Sequence, residues 1–331
     1  MYLLNILLII CVATAPQISA KRYYDLEDAE NLFKEYIKKH GKAYSPEEYL
    51  TRLDIFKESL KEINDRNARH PEEYGITRFA DMTDAERQSG MGGMPWETLD
   101  MMTTVVYPPE AITAPEQWDW RDQGAVVPGV IEEINKGDYW NHIITATGNI
   151  EGQYAIKHKQ CLDLSEQQSK DCMPLGWYPH DVMRYYEGYG EHKKHITLEK
   201  EYPFKGKQGP CLERMKMTPV TSVTSFKVFN ASEESLKQIL YETGPLAALI
   251  IGSDLFHYEK GIMTPDLCTH GGVVYVCHVL IVGYGIENGT KYWTCKNSWG
   301  SKWGEHGYFR IKRGGGACML GQWYTATCTV T

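Results

Sequence analysis

The chain has 331 residues, a formal net charge of −8, 42% hydrophobic and 24% charged residues. That length exceeds one average domain and allows two or three units with a sizeable buried core. The acidic balance contains no block of like charge, which argues against a nucleic-acid binder, and after residue 20 no apolar run is long enough to span a bilayer.

The first segment, MYLLNILLIICVATAPQISA, is an apolar run short for a spanning helix, and it ends in Ser19-Ala20, small residues suited to signal-peptidase cleavage. We read residues 1–20 as a signal peptide, although no Lys or Arg precedes the apolar run. The expected destination is extracellular (secreted) or lysosomal/vacuolar. Cleavage would remove Cys11 and leave eight of the nine cysteines, an even number in an oxidising route where disulfides are the default expectation. Sequons at Asn230 and Asn288 are compatible with glycosylation on that route.

Residues 26–67 carry two helical patterns. Leu32, Phe33, Tyr36 and Ile37 share one face of the first helix; Tyr49, Leu53, Phe56, Leu60 and Ile63 recur at spacings of three and four in the second. The expected unit, residues 21–90, is a helical hairpin with one apolar seam. Residues 91–111, rich in Met, Gly and Pro, have no clear period and read as an extended linker. From 112 to 331 the texture changes to short apolar runs broken by Gly and Pro. One helix is predicted over 142–157 and strands over 246–251, 273–283 and 290–296, the last two joined by a turn at IENG. Helix first and sheet later is an α+β pattern. No internal repeat is present.

Several stretches in fixed order resemble the papain-like cysteine proteases with their inhibitory propeptide, closest to the cathepsin L and F groups. Glu48, Arg52, Phe56, Ile63 and Asn67 match the interspersed propeptide helix motif, with Ser59 where Asn is usual. YGITRFAD (Gly75, Thr77, Phe79, Asp81) matches the second propeptide motif. WDWRDQGAVVP, TATGNIEGQYAIK, LSEQQSKDC, HVLIVGYG and YWTCKNSWGSKWGEHGYFRIKRG match successive parts of the enzyme body. The resemblance implies a two-domain fold, a helical left domain and a β-barrel-like right domain, preceded by a helical propeptide domain.

Amide hydrolysis in that family uses a thiolate at a helix N-terminus, a His that holds the proton, an Asn that orients the His, and a Gln with a backbone N–H for the oxyanion. Counting back from TATGNIEG places the nucleophile position at Asn141, followed by His142; counting forward from GAVVP places it at Asp138. Residues 124–160 contain neither Cys nor Ser, so no choice of gap supplies a nucleophile there. The oxyanion Gln maps to Asn135. The family His lies six residues before the Gly of VGYG, which is Cys277, whereas His278 is five before. A one-residue offset on a strand turns a side chain to the opposite face, so His278 is expected to point away from the cleft. Asn297 and Trp299 are retained in KNSWG.

The loop that pairs with extended peptides in the family is shortened here to CMPLGWYPHD. Gly176, Trp177 and Tyr178 are therefore candidate cleft residues, with the Trp177 indole either filling a subsite or tucked beneath a neighbouring loop. By resemblance, Cys172 pairs with Cys211 and Cys268 with Cys318. The third family bridge is lost at both ends together, as Asp138 and Pro174. Cys161 and Cys328 are a further possible pair, and Cys277 and Cys295 are read as buried thiols on adjacent strands. Cys268, His270, Cys277 and His278 cluster in sequence but match no standard zinc spacing, so neither metal nor cofactor is expected.

The expectation is a non-catalytic homologue, a monomer that binds peptides, cystatin-like inhibitors or active papain-like proteases. The alternative is a cysteine-type endopeptidase using a relocated nucleophile such as Cys277, with His278 or His142 as base.

Overall fold

The computed structural model describes residues 21–88, 105–106, 113–132, 140–174, 176–188, 194–212, 217–265, 268, 275–322 and 324–331. The signal-peptide segment, most of the linker, Asn135, Asp138 and His270 lie outside them.

The N-terminal unit is built on the predicted hairpin. Helix α1 (Ala29–His40) stops at Gly41, whose left-handed φ of 61° lets its N–H reach Ile37 O. Helix α2 (Pro46–Arg69) starts where the Ser45 side chain accepts from Glu48 N, with proline in the first turn. Their apolar faces meet at Phe33, Tyr36, Phe56, Leu60 and Ile63, all buried, with the Phe33 and Phe56 rings 5.1 Å apart. Burial of each such side chain stabilises the unit by about 1.5–3 kcal/mol. Strand β1 (Glu73–Tyr74) and a short helix α3 (Asp84–Gln88) follow, and then β2 (Val105–Val106).

The body begins with β3 (Trp118–Asp119) and helices α4 (Asn141–His158), α5 (Glu166–Cys172) and α6 (Pro179–Glu187). Next come β4 (Val223–Asn230), helix α7 (Glu233–Thr243), β5 (Leu246–Ile251), β6 (Tyr258–Lys260) and β7 (Ile262–Met263). The chain closes with β8 (Val276–Glu287), β9 (Thr290–Lys296), β10 (Tyr308–Lys312) and β11 (Thr325–Val330). Among the described residues one sheet runs β2-β4-β11-β5-β8-β9-β10-β7, with β3 added alongside β8. The β8–β9 turn is as expected from IENG: Asn288 and Gly289 both take positive φ, 50° and 80°.

Helix α4 is the centre of the body. Fourteen of its 18 residues are buried, so it is packed on all sides rather than on one stripe. That placement explains the TATGNIEGQ sequence. A Cβ at Gly152 would come within 3.0 Å of Ala125 O and Pro245, and one at Gly148 within 3.1 Å of the Leu280 side chain. Asn149 donates to Pro245 O at 2.6 Å and accepts from Cys328 N at 3.1 Å, so its buried amide is satisfied.

Two disulfides form as the resemblance implied, Cys172–Cys211 and Cys268–Cys318. The Cys161–Cys328 pairing does not. Strand β11 runs along α4 with Cys328 level with Asn149, while Thr331 is level with His158, the last residue of the helix. Cys161 lies beyond that end, about 13 Å or more along the axis from Asn149 at 1.5 Å per residue; it is exposed, and Cys328 is buried.

The N-terminal unit is docked firmly on the body. Strand β1 pairs antiparallel with β6, Gly75 N donates to His257 O at 2.8 Å, and Thr77 Oγ1 donates to Phe256 O at 2.7 Å. The Phe79 ring packs edge-on to Phe256 (5.2 Å) and Trp299 (4.8 Å). Ion pairs across the interface include Arg66–Asp254 and Arg78–Glu132, both at 2.8 Å, and Lys260–Glu73 at 3.0 Å.

Candidate active site

Asn141 is the first residue of α4, where unpaired backbone N–H groups and the helix dipole would favour an anion. Facing it across the domain boundary, His278 Nδ1 lies 3.1 Å from Asn141 Oδ1, and both residues are buried. This corrects the sequence expectation for His278. The count from Gly283 passes through an irregularity in the β8–β9 pairing between Ile281 and Gly283. Alternation from His278 itself puts Val276 and Leu280 on the same face, towards α4. Cys277, Val279 and Ile281 instead enter the opposite core. Cys277 is thus the residue that points away. It sits 1% exposed among apolar side chains beside Cys295, whose thiol is pushed well up by burial and by Cys277. That burial does not favour the alternative of a nucleophile relocated to Cys277.

The imidazole at Asn141 is enclosed by rings. Tyr178 and Tyr324 stand edge-on to it at 5.9 and 6.0 Å, and His142 lies 6.4 Å away. His180 completes the cluster: its backbone N donates to Tyr324 Oη at 3.0 Å. Burial, then the neighbouring His142 and His180, hold His278 well below the ordinary histidine range. Burial and Lys170 likewise bring His142 down to about 4. Burial thus favours the neutral form of both imidazoles.

Asn297 does not orient His278. Its Oδ1 accepts from Ser298 N at 2.9 Å, and its Nδ2, like His278 Nε2, is buried with no partner among the described residues. The indole of Trp299 is covered by Phe79 and stacks on Phe256 at 5.5 Å. Gly176 is held close to Asp181, where an added Cβ would meet Asp181 Cβ at 2.8 Å. The same Asp181 accepts from the backbone N of both Trp177 and Tyr178 at 3.0 Å. That turn sends Tyr178 inward to His278 and leaves Trp177 60% exposed.

The structure therefore unites Asn141, His278, His142 and Tyr178, and adds His180 and Tyr324, which no local pattern marks because their contacts join distant segments. Among the described residues no group of three His, Cys, Asp or Glu is arranged to hold a metal. Asn230 and Asn288 are exposed.

Comparison with known proteins agrees with this architecture. Residues 114–328 match the papain family cysteine protease model, and residues 33–86 the cathepsin propeptide inhibitor domain. A viral cathepsin of Choristoneura fumiferana nuclear polyhedrosis virus is 34% identical over 325 residues, covering 96% of each chain. One from Adoxophyes honmai nucleopolyhedrovirus is 33% identical over 349 residues, covering 100% of each. Digestive procathepsin L2 from Tenebrio molitor larval midgut superposes with a TM-score of 0.78 at 26% identity, over 91% of this chain and 99% of its own. A buried helix opening on a site shared with a strand of the facing sheet, a helical hairpin docked on that sheet, and full-length matches of this kind have one explanation: the chain belongs to the papain family of cysteine proteases and carries a cathepsin-type propeptide domain ahead of the body.

Proposed function

We propose that this protein is a non-catalytic papain-family homologue, routed to a secreted or lysosomal/vacuolar location, that acts by binding. The single observation that carries this reading is the Asn141–His278 pair. Where the family chemistry needs a thiol at the helix N-terminus facing an imidazole, a carboxamide oxygen accepts a hydrogen bond from that imidazole. An amide supplies no thiolate, whatever base faces it. The candidate ligands are peptides, cystatin-like inhibitors and active papain-like proteases; the exposed Trp177 beside the site offers them an aromatic anchor.

A second reading, a cysteine-type endopeptidase, draws support from the viral cathepsin names of the relatives. The two are separated by incubating purified protein in acid with an epoxide probe for papain-type thiols, followed by intact mass and peptide mapping. A non-catalytic homologue stays unlabelled and keeps its propeptide. Stoichiometric labelling or self-processing in a protease-free preparation would establish the endopeptidase.

A further inference from the structure

A second polar centre adjoins Thr145 and Gly148 of α4. It is a cavity of about 190 Å³ with Val127 and Gly129 in its lining. Among the described residues, four carboxyl side chains line it, Glu151, Asp163, Glu166 and Glu199, against one cation, Lys296. That lysine acts on Glu151 and Asp163 only through its field: its Nζ donates to Val127 O at 2.8 Å, and no contact ion pair joins it to the four carboxyls among the described residues.

The acids are only partly satisfied by the chain. Glu151 Oε1 accepts from Leu164 N at 2.9 Å and Glu199 Oε1 from Phe204 N at 2.6 Å. Glu166, 4% exposed, leaves Oε2 buried with no partner among the described residues, and Glu199 Oε2 is in the same condition. An unpaired buried carboxyl oxygen costs free energy, so it is kept either by holding a proton or by receiving a positively charged donor. Burial, with a smaller push from Asp163, brings Glu199 up to about 7, and burial with the neighbouring carboxyls raises Glu166 well above the ordinary glutamate range, consistent with protons held in the absence of such a donor.

The arrangement also restricts the donor. Among the described residues, no three carboxyls converge as ligands of a compact metal ion. Thr145, Asn297 and Ser298 also line it, and the apolar part of the wall, Ile144, Leu280, Val127 and Val130, suits methylene groups.

We propose that this cavity binds an aliphatic ammonium group, presented by a short free diamine or by the lysine side chain of a peptide. The ammonium donates to Glu166 Oε2 and Glu199 Oε2, its methylenes lie on Leu280 and Ile144, and its entry displaces protons from the carboxyls.

The test is titration calorimetry of the full chain with 1,4-diaminobutane, with 1,4-butanediol as the uncharged isostere. Each is measured at pH 8 and pH 5 in two buffers of different ionisation heat. Expected are saturable diamine binding with proton release at pH 8, at least tenfold weaker binding at pH 5, and none to the diol. Glu166→Gln and, at the half-buried rim, Glu199→Gln should each weaken the diamine at least tenfold; the rim variant keeps the test valid should the deeper one misfold. A capped Ala-Lys-Ala peptide compared with its norleucine analogue distinguishes a peptide source from a free amine. Equal binding of diamine and diol, no saturation at 10 mM diamine, or indifference to Glu199→Gln in folded protein overturns the proposal.

Discussion

Removing Asp254 should loosen the propeptide from the body by a measurable amount. Its Oδ1 accepts from Arg66 Nη2 at 2.8 Å, and both side chains are only 9% exposed. Deleting one partner of a buried pair costs about 3–5 kcal/mol because the other charge stays buried. Arg66 retains Glu62 at 3.0 Å on its Nε and the Tyr74 ring at 5.3 Å, which reduces the expected cost for Asp254→Ala to about 2–3 kcal/mol. That corresponds to a 30- to 150-fold shift, roughly, in the opening equilibrium. Native-state hydrogen exchange of the full chain reads it directly. The Gly75 amide, bonded to His257 O at 2.8 Å, reports undocking, and amides of the β8–β9 ladder report the body. Expected is loss of protection at Gly75 by that factor with the ladder unchanged. A change below about threefold at Gly75 would refute the assignment of this pair as a principal docking contact.

Asn141→Ala removes the acceptor of the buried His278 Nδ1 and should destabilise the body by about 1–3 kcal/mol in urea titration without altering reactivity towards the epoxide probe. Stability should peak between about pH 5 and 7, measured by thermal unfolding across a pH series. Glu151 and Glu199, pushed by burial to about 8 and about 7, bind more protons folded than unfolded; their contribution is complete below about 4.5 and is lost as pH rises to 8. His142 and His257, lowered by burial to about 4 and about 3, act oppositely, and their contribution is lost as pH falls from 6.5 through those values. Glu166→Gln should flatten the alkaline limb by up to about 1.4 kcal/mol per pH unit, and an unchanged slope would show that the carboxyl cluster does not set it.

Local pattern determined much of this protein. The spacing of Phe33, Tyr36, Phe56, Leu60 and Ile63 is a property of adjacent turns, and it was enough to place the propeptide hairpin. The strands 246–251 and 290–296 and the turn at Asn288-Gly289 were likewise set by side-chain type and by the φ those residues tolerate. The absence of Cys and Ser from residues 124–160 needed no structure at all. Which strand face meets the helix is a different kind of quantity. A count from Gly283 assigned the cleft to Cys277, but the pairing irregularity after Ile281 and the packing of Leu280 on Gly148 turned His278 towards Asn141. The fate of Cys161 depended on how far β11 runs along α4. The aromatic enclosure by His180 and Tyr324, and the gathering of Glu151, Glu166 and Glu199 around one cavity, join segments up to 144 residues apart. Such contacts are decided by the burial of whole elements against one another, and no window of sequence contains them.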